Sequence, residues 1–226
     1  MNSRHSQSQI SYEWLSANAE ASHSYIDKAI LAAIDRDRRH TDPGSAQYRI
    51  FDAGCGNGAL LSSLRRVSPT VAGCEPSPDG AKIARASLGS DIHIECLSAY
   101  EDLVAVFGTG WDVVVSTEVI EHLYDPRLFV HRVRELLKPR GLLILTTPYH
   151  GYLKNLALAV TNSWDTHLTA LWDGGHIKFW SYDTLRSLLI EFGFGEFQFQ
   201  GCGRLPWLWK SMLVSSRLIA PERKAA

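Results

Sequence analysis

Five apolar runs, each followed by a stretch with helical spacing, leave this chain little freedom of fold. They read YRIFDAG, TVAGCE, DIHIECL, WDVVVST and GLLILTTP, between Tyr48 and Pro148. The intervening GALLSSLRRV, PDGAKIARAS, AYEDLVAV and PRLFVHRVRELLKP repeat apolar residues every three or four positions, the last closed by Pro139. Strands that are apolar on both faces and alternate with helices form a parallel sheet covered on both sides. The class is therefore α/β. A helical pattern from Ser22 to Arg38, with Ile26, Ile30, Ala33 and Ile34 on one stripe, precedes the sheet and stops at the turn-forming Thr41–Ser45.

The rhythm changes after Pro148. Residues Tyr149 to Lys178 are rich in Trp, His, Tyr and Gly, show no clean strand, and follow the fifth strand at the sheet edge where ligands bind. SYDTLRSLLIEFGF then reads as a helix, and FGEFQFQ and KSMLVSSRLI as strands. The link GCGRLPWLW is too short for a helical crossover, so these two strands should be antiparallel. Trp207, Trp209 and nearby basic residues also admit a peripheral, membrane-surface helix here. Alternation and β-branching favour the strand.

A length of 226 residues fits one domain with appendages. The expected division is a tail and N-terminal cap at 1–21, a domain at 22–218 with an acceptor-side insert at 149–178, and a tail at 219–226. A net charge of −1 weighs against nucleic acid as a partner. Cys55, Cys74, Cys96 and Cys202 lack metal spacing and read as reduced thiols. The opening MNSRHSQSQ has no apolar signal core, and no run approaches the ~20 residues of a spanning helix. The expectation is a soluble cytoplasmic protein.

The first strand-to-helix junction, FDAGCGNGALL, carries Gly54, Gly56 and Gly58 where a loop must turn tightly against a ligand. With Ala59 it also satisfies G-x-G-x-x-[GA], so a nucleotide-dependent oxidoreductase competes. Asp52 at the strand end suits a cationic ligand and would repel a pyrophosphate. Glu75 ends the second strand, placed to accept two ribose hydroxyls. D-x-G-x-G-x-G followed by this acid resembles motifs I and II of class I S-adenosylmethionine-dependent methyltransferases. The resemblance runs from Ser22 to Leu218. It implies a Rossmann-like seven-stranded sheet of order 3-2-1-4-5-7-6 with strand 7 antiparallel. It also implies cofactor contacts at Asp52, Gly54, Cys55, Gly56, Gly58, Glu75 and Pro76, and at Thr117 after the fourth strand. The family places an acid after the third strand. Here CLSAYEDL has Ser98 at that position, and Ser98 and Ala99 are the adenine candidates.

Beyond the fourth strand, STEVIEHLYDP would stack Glu118, Glu121 and His122 on one helical face at i, i+3 and i+4. Two carboxylates and an imidazole suit a divalent ion. Alternatively, Glu118 touches the cofactor or caps the helix and His122 packs. A later GGHIKFWSYDTL returns His176 to the same edge. E-x-x-E-H resembles the ubiquinone-pathway O-methyltransferases. With the distal histidine it is similar to the methyltransferases of small-RNA 3′-terminal ribose, although Ile177 intervenes and an acid is missing. Both families methylate one oxygen of a vicinal diol. The resemblance implies Glu118, Glu121, His122 and His176 as ligands to Mg²⁺ or Mn²⁺. Without a metal, His122, His150 or His176 would act as general base. Tyr149, Tyr152, Trp164, Trp172 and Trp180 supply an aromatic cap, with Phe179 and Trp180 expected to pack. Trp14 and Tyr25 either cover the cofactor or pack. The function expected is O-methylation of a small-molecule acceptor: a catechol-like ring, a sugar or another vicinal diol. The alternatives are the oxidoreductase and a non-catalytic nucleotide-binding module.

Overall fold

Alternation along each strand sends neighbouring side chains to opposite sides of the sheet, and both sides of this sheet are covered. The computed structural model describes residues 23–41, 47–168, 171 and 174–219, so Trp14 and Trp172 lie outside the described residues. In chain order the elements are α1 (His23–Thr41), β1 (Arg49–Ala53), α2 (Ala59–Leu64), β2 (Thr70–Cys74), α3 (Pro78–Leu88) and β3 (His93–Glu95). Then come α4 (Leu103–Phe107), β4 (Trp111–Thr117), a 3₁₀ turn (Ile120–His122), α5 (Pro126–Leu136) and β5 (Leu137–Pro148). The chain continues through α6 (Tyr152–Val160), α7 (Trp164–Leu168), α8 (Tyr182–Glu191), β6 (Phe194–Cys202) and β7 (Ser211–Leu218).

The sheet order is β3-β2-β1-β4-β5-β7-β6, and β7 runs antiparallel to both β5 and β6, as the family resemblance implies. Phe51, Val114, Leu143 and Val214 face α4, α5 and α8 through Leu103, Phe129, Val133 and Leu189. Ile50, Val113, Ile144 and Leu213 face α1, α2 and α3 through Ile26, Ile30, Leu61 and Ala84. A polar clamp joins the first helix to the sheet. The Tyr48 hydroxyl donates to Asp37 Oδ2 at 2.6 Å, and Arg217 Nη2 of β7 reaches Asp37 Oδ1 at 2.5 Å.

The structure sharpens the reading at three places. The helix expected to run to Pro139 stops at Leu136, and Leu137 is already extended at φ −70 and ψ 142. Proline disfavours helical geometry in the residue before it, so Lys138 cannot continue the turn. Residues 149–178, read as an insert with no clean strand, contain the helices α6 and α7. The stretch from Ser211 is strand β7 and not a membrane-surface helix. Among the described residues no helix is long and apolar enough to cross a membrane.

Candidate active site

The carboxyl ends of β1, β2 and β4 meet at one edge, and the loop after β1 crosses it. Gly54 and Gly58 hold φ 90 and 83. A Cβ on Gly54 would lie 2.5 Å from Val119, and one on Gly58 2.9 Å from Ala84 and Leu88. Gly54 N and Cys55 N both donate to Cys74 O at 2.9 Å, pinning the loop to β2. Glu75 Oε2 accepts from Gly56 N and its Oε1 from Ser77 N, each at 2.9 Å. A carboxylate has about four lone-pair sites, so these two bonds do not exhaust it.

Asp52 is buried, and neither carboxylate oxygen has a hydrogen-bond partner among the described residues. Burial, then the charges of Glu75 and of Asp27 on α1, push its pKa up to about 8. A buried acid among acids is costly until a cation arrives, so the pocket suits a positively charged ligand. Asp27 carries no motif signal, because only the packing of α1 brings it here. Cys55 is buried beneath the loop, its thiol pushed up by burial and by Asp52. Pro76 is exposed at the rim, and its carbonyl accepts from Cys96 Sγ at 3.7 Å. Thr117 Oγ1, at the end of β4, is buried without a hydrogen-bond partner among the described residues. Ser98 Oγ caps its own turn by accepting from Tyr100 N at 3.3 Å, and Ala99 is buried. An acid arrives three residues later than the aligned position: Glu101 Oε1 accepts from Ser98 N at 2.9 Å.

On the acceptor side the expected helical face does not form. Glu118 holds a left-handed φ of 53, and only a 3₁₀ turn follows. Donor atoms of Glu121, His122 and His176 lie within 4.8 Å of one another, and Glu118 is outside that group. Its Oε1 is buried without a hydrogen-bond partner among the described residues; burial raises its pKa to about 7, against opposing contributions from Thr146, Ser211 and Lys154.

Backbone hydrogen bonds bring His176 to the group. Ile177 N and Lys178 N both donate to Glu121 O at 3.0 Å, and Trp180 Nε1 to Ile120 O at 3.4 Å. His122 Nδ1 lies 3.2 Å from Gly175 O, and because a carbonyl only accepts, Nδ1 carries the proton. That tautomer leaves Nε2 with its lone pair, the form a metal takes. The His122 and His176 rings are 4.9 Å apart. Both Glu121 oxygens are buried, with no close hydrogen-bond partner among the described residues, and burial, then Glu118, raise this carboxyl well above its ordinary range against an opposing contribution from Thr147. Burial, then repulsion from His122, His150, His167 and Lys154, pushes His176 down to about 4. A buried acid beside imidazoles held neutral fits a divalent cation, which supplies the missing positive charge.

His150 stands apart from this group. Its ring lies 5.7 Å from His167 and 5.1 Å from Phe179, beside a cavity of about 350 Å³ also lined by Asn155, Trp164, Leu168 and Ser181. Burial and Lys154 push it down to about 4. Phe179, expected to pack, is half exposed at this cavity, whereas Trp180 packs on the core as expected. Tyr149 lies against Trp209, ring centroids 5.1 Å apart. Tyr25 lies beneath Lys210, 5.6 Å from ring centre to Nζ.

Residues 18–195 match a family described as a methyltransferase domain. The chain belongs to that family. It is 31% identical over 193 residues to the ubiquinone biosynthesis O-methyltransferase of Cereibacter sphaeroides, covering 82% of this chain and 76% of that one. It is 33% identical over 138 residues to the protein of the same description from Chelativorans sp., covering 61% of this chain and about half, 54%, of that relative. The magnesium protoporphyrin IX methyltransferase of Synechocystis PCC 6803, solved with bound S-adenosylhomocysteine, shares the fold. Its TM-score is 0.60 at 18% identity, over 85% of this chain and 81% of that one. Of the three readings, the S-adenosylmethionine-dependent methyltransferase stands. In this methyltransferase the sequence missed Lys154, whose signal is faint: it and Asn155 are the only polar residues of α6. Lys154 is buried, donates from Nζ to Lys210 O at 3.3 Å, and is pushed down to about 8 by burial.

Proposed function

We propose that this methyltransferase moves the methyl group of S-adenosylmethionine to one oxygen of a small vicinal diol, on a catechol-like ring or a sugar. Glu121, His122 and His176 would hold a divalent ion of the Mg²⁺ or Mn²⁺ class beside that oxygen. The convergence of these three donor sets, from two segments more than fifty residues apart, is the observation that carries the reading. The relatives named as O-methyltransferases support oxygen as the acceptor.

The chain's own residues act mainly by placement. Asp52, the glycine loop and Glu75 hold the cofactor with its sulfonium toward the acceptor edge, converting a two-body reaction into an aligned displacement. The cavity beside His150, Trp164 and Phe179 takes the body of the acceptor. His122, fixed by Gly175, presents Nε2 to the group. Glu118, outside the ligand set, forms the floor with Thr146 and Ser211. When bound, the ion lowers the pKa of a hydroxyl that it coordinates.

The test is label transfer. With isotopically labelled S-adenosylmethionine, mass spectrometry should find the label on catechols or sugar diols and not on their mono-hydroxy analogues. Chelation and His176→Ala should each abolish transfer while S-adenosylhomocysteine still raises the melting temperature. Full turnover in excess chelator would sink the metal reading, and label on carbon or nitrogen the oxygen reading.

A further inference from the structure

Helix α6 points its polar residues inward. Tyr152, Leu153, Leu156 and Val160 are exposed, whereas Lys154 is buried and Asn155 lines the cavity beside His150. A surface helix ordinarily does the reverse, because a buried ammonium group forfeits its hydration. Lys154 also lies in the first turn of α6, where the helix dipole already places positive charge and no acid offsets it. The N-cap residue, Gly151, supplies no side-chain hydrogen bond to that turn.

More positive charge gathers at the same place. The His150 and His167 rings lie 5.7 Å apart, and the charge of Lys154 acts on both. Arg204, exposed in the loop joining β6 to β7, acts on Lys154 and on His167. Burial first, and then this mutual repulsion, pushes His150, Lys154 and His167 below their ordinary ranges. Acids are scarce here. Residues 149–164 and 197–219 contain no Asp or Glu. Asp165 on α7 is exposed, and the acid set against Lys154 is the single carboxyl of Glu118.

A lysine, an arginine and two imidazoles facing one carboxyl leave the cavity short of negative charge. An entering anion would relieve the repulsion at each of them, in the low-dielectric surroundings where such contacts are strong. The cavity holds about 350 Å³, and Trp164, Leu168 and Phe179 give it walls for a ring or sugar body. It adjoins the candidate ligands of the ion, since His150, His167 and Lys154 all repel His176. One bound molecule can therefore meet the basic groups and the acceptor edge together.

We propose that this cavity is an anion subsite, in which His150, Lys154 and His167, with Arg204 beside them, bind a carboxylate or phosphate carried by the methyl acceptor. The inference rests on the acceptor placement given under the proposed function and narrows the substrates to acidic ones. Benzoate and phenyl phosphate carry an acid and no diol, so they probe the subsite apart from methyl transfer. With the protein saturated in S-adenosylhomocysteine, calorimetry should find at least one of them bound about tenfold more tightly than benzamide. Lys154→Met should erase this preference and leave benzamide affinity unchanged. Because Lys154 is buried, the paired variant His167→Gln with Arg204→Gln repeats the test at less buried positions and should cut the preference about fivefold or more. S-adenosylhomocysteine affinity should hold in both variants. Equal affinity for the two acids and benzamide would overturn the proposal, as would a preference that survives the paired variant. A parallel loss of S-adenosylhomocysteine affinity would also overturn it, assigning these cations to the cofactor's own carboxylate. Label transfer is scored separately from binding. If the acids bind preferentially and 3,4-dihydroxybenzoate takes no label, the subsite stands and the diol reading falls.

Discussion

Among the described residues the carboxyl group of Asp52 has no hydrogen-bond partner, and Glu75 and Asp27 add more negative charge beside it. Its pKa stands at about 8, against an ordinary 3.8, so the folded protein keeps a proton that the unfolded chain releases between those values. The unfolded state then binds fewer protons than the folded one, and stability falls as pH rises from the lower value to the upper, then levels. A sulfonium cofactor favours the ionised form, so its affinity should rise with pH over the same window as a proton leaves. Asp52→Asn should therefore melt above the unmodified protein at pH 8, with the difference shrinking at lower pH. It should bind S-adenosylmethionine about tenfold or more weakly, as expected for losing a charged partner. Calorimetry in two buffers of different ionisation heat would show the proton; a melting gain that grew toward acid would contradict the assignment. Asp52 and Glu75 were legible because a short motif fixes residue type, loop and strand end together. Asp27 and Glu101 were not, since one depends on how α1 packs and the other on a turn that carries the acid past its aligned position.

At the scale of elements, the segment returning from α7 is held to the 3₁₀ turn by main-chain groups. Ile177→Pro removes the N–H that donates to Glu121 O, whereas Ile177→Ala keeps it. Methyl transfer should fall about tenfold or more in the proline variant, because a displacement of about 1 Å at a reacting site carries a large rate penalty. S-adenosylhomocysteine affinity should hold in both. Equal turnover of the two variants would show that this link does not position His176. The spacing Glu118, Glu121, His122 misled because i, i+3 and i+4 stack only on a helical backbone, and Glu118 leaves helical geometry at the first step. Helices α6 and α7 escaped for a related reason. Periodicity reports a core-facing stripe, and in α6 the apolar stripe faces outward. The residues themselves made the parallel strands legible as apolar runs and the final pair antiparallel through its short link, whereas the strand order came from the family resemblance.

Across the whole molecule, Asp37 ties the first described helix to the start of β1 and to β7. Asp37→Ala removes the acceptor of the Tyr48 hydroxyl and the nearer carboxylate of Arg217, which keeps Glu196 at 3.4 Å and the Arg140 carbonyl at 3.1 Å. Hydrogen bonds to a charged group are worth about 1.5–3 kcal/mol each, so losing these two costs about 3–5 kcal/mol. At about 2–4 °C per kcal/mol for a chain of this size, the melting temperature should fall by about 6–20 °C. A fall of only a degree or two would place the tether elsewhere. The strand that receives this tether is also the last in chain order, yet it lies between β5 and β6. During synthesis β5 and β6 therefore leave the ribosome before the strand that must part them, and each waits with an open edge. A chain stalled before Ser211 would carry its finished glycine loop beside an unsealed seam, and that seam marks it for chaperones and proteases until β7 closes the sheet.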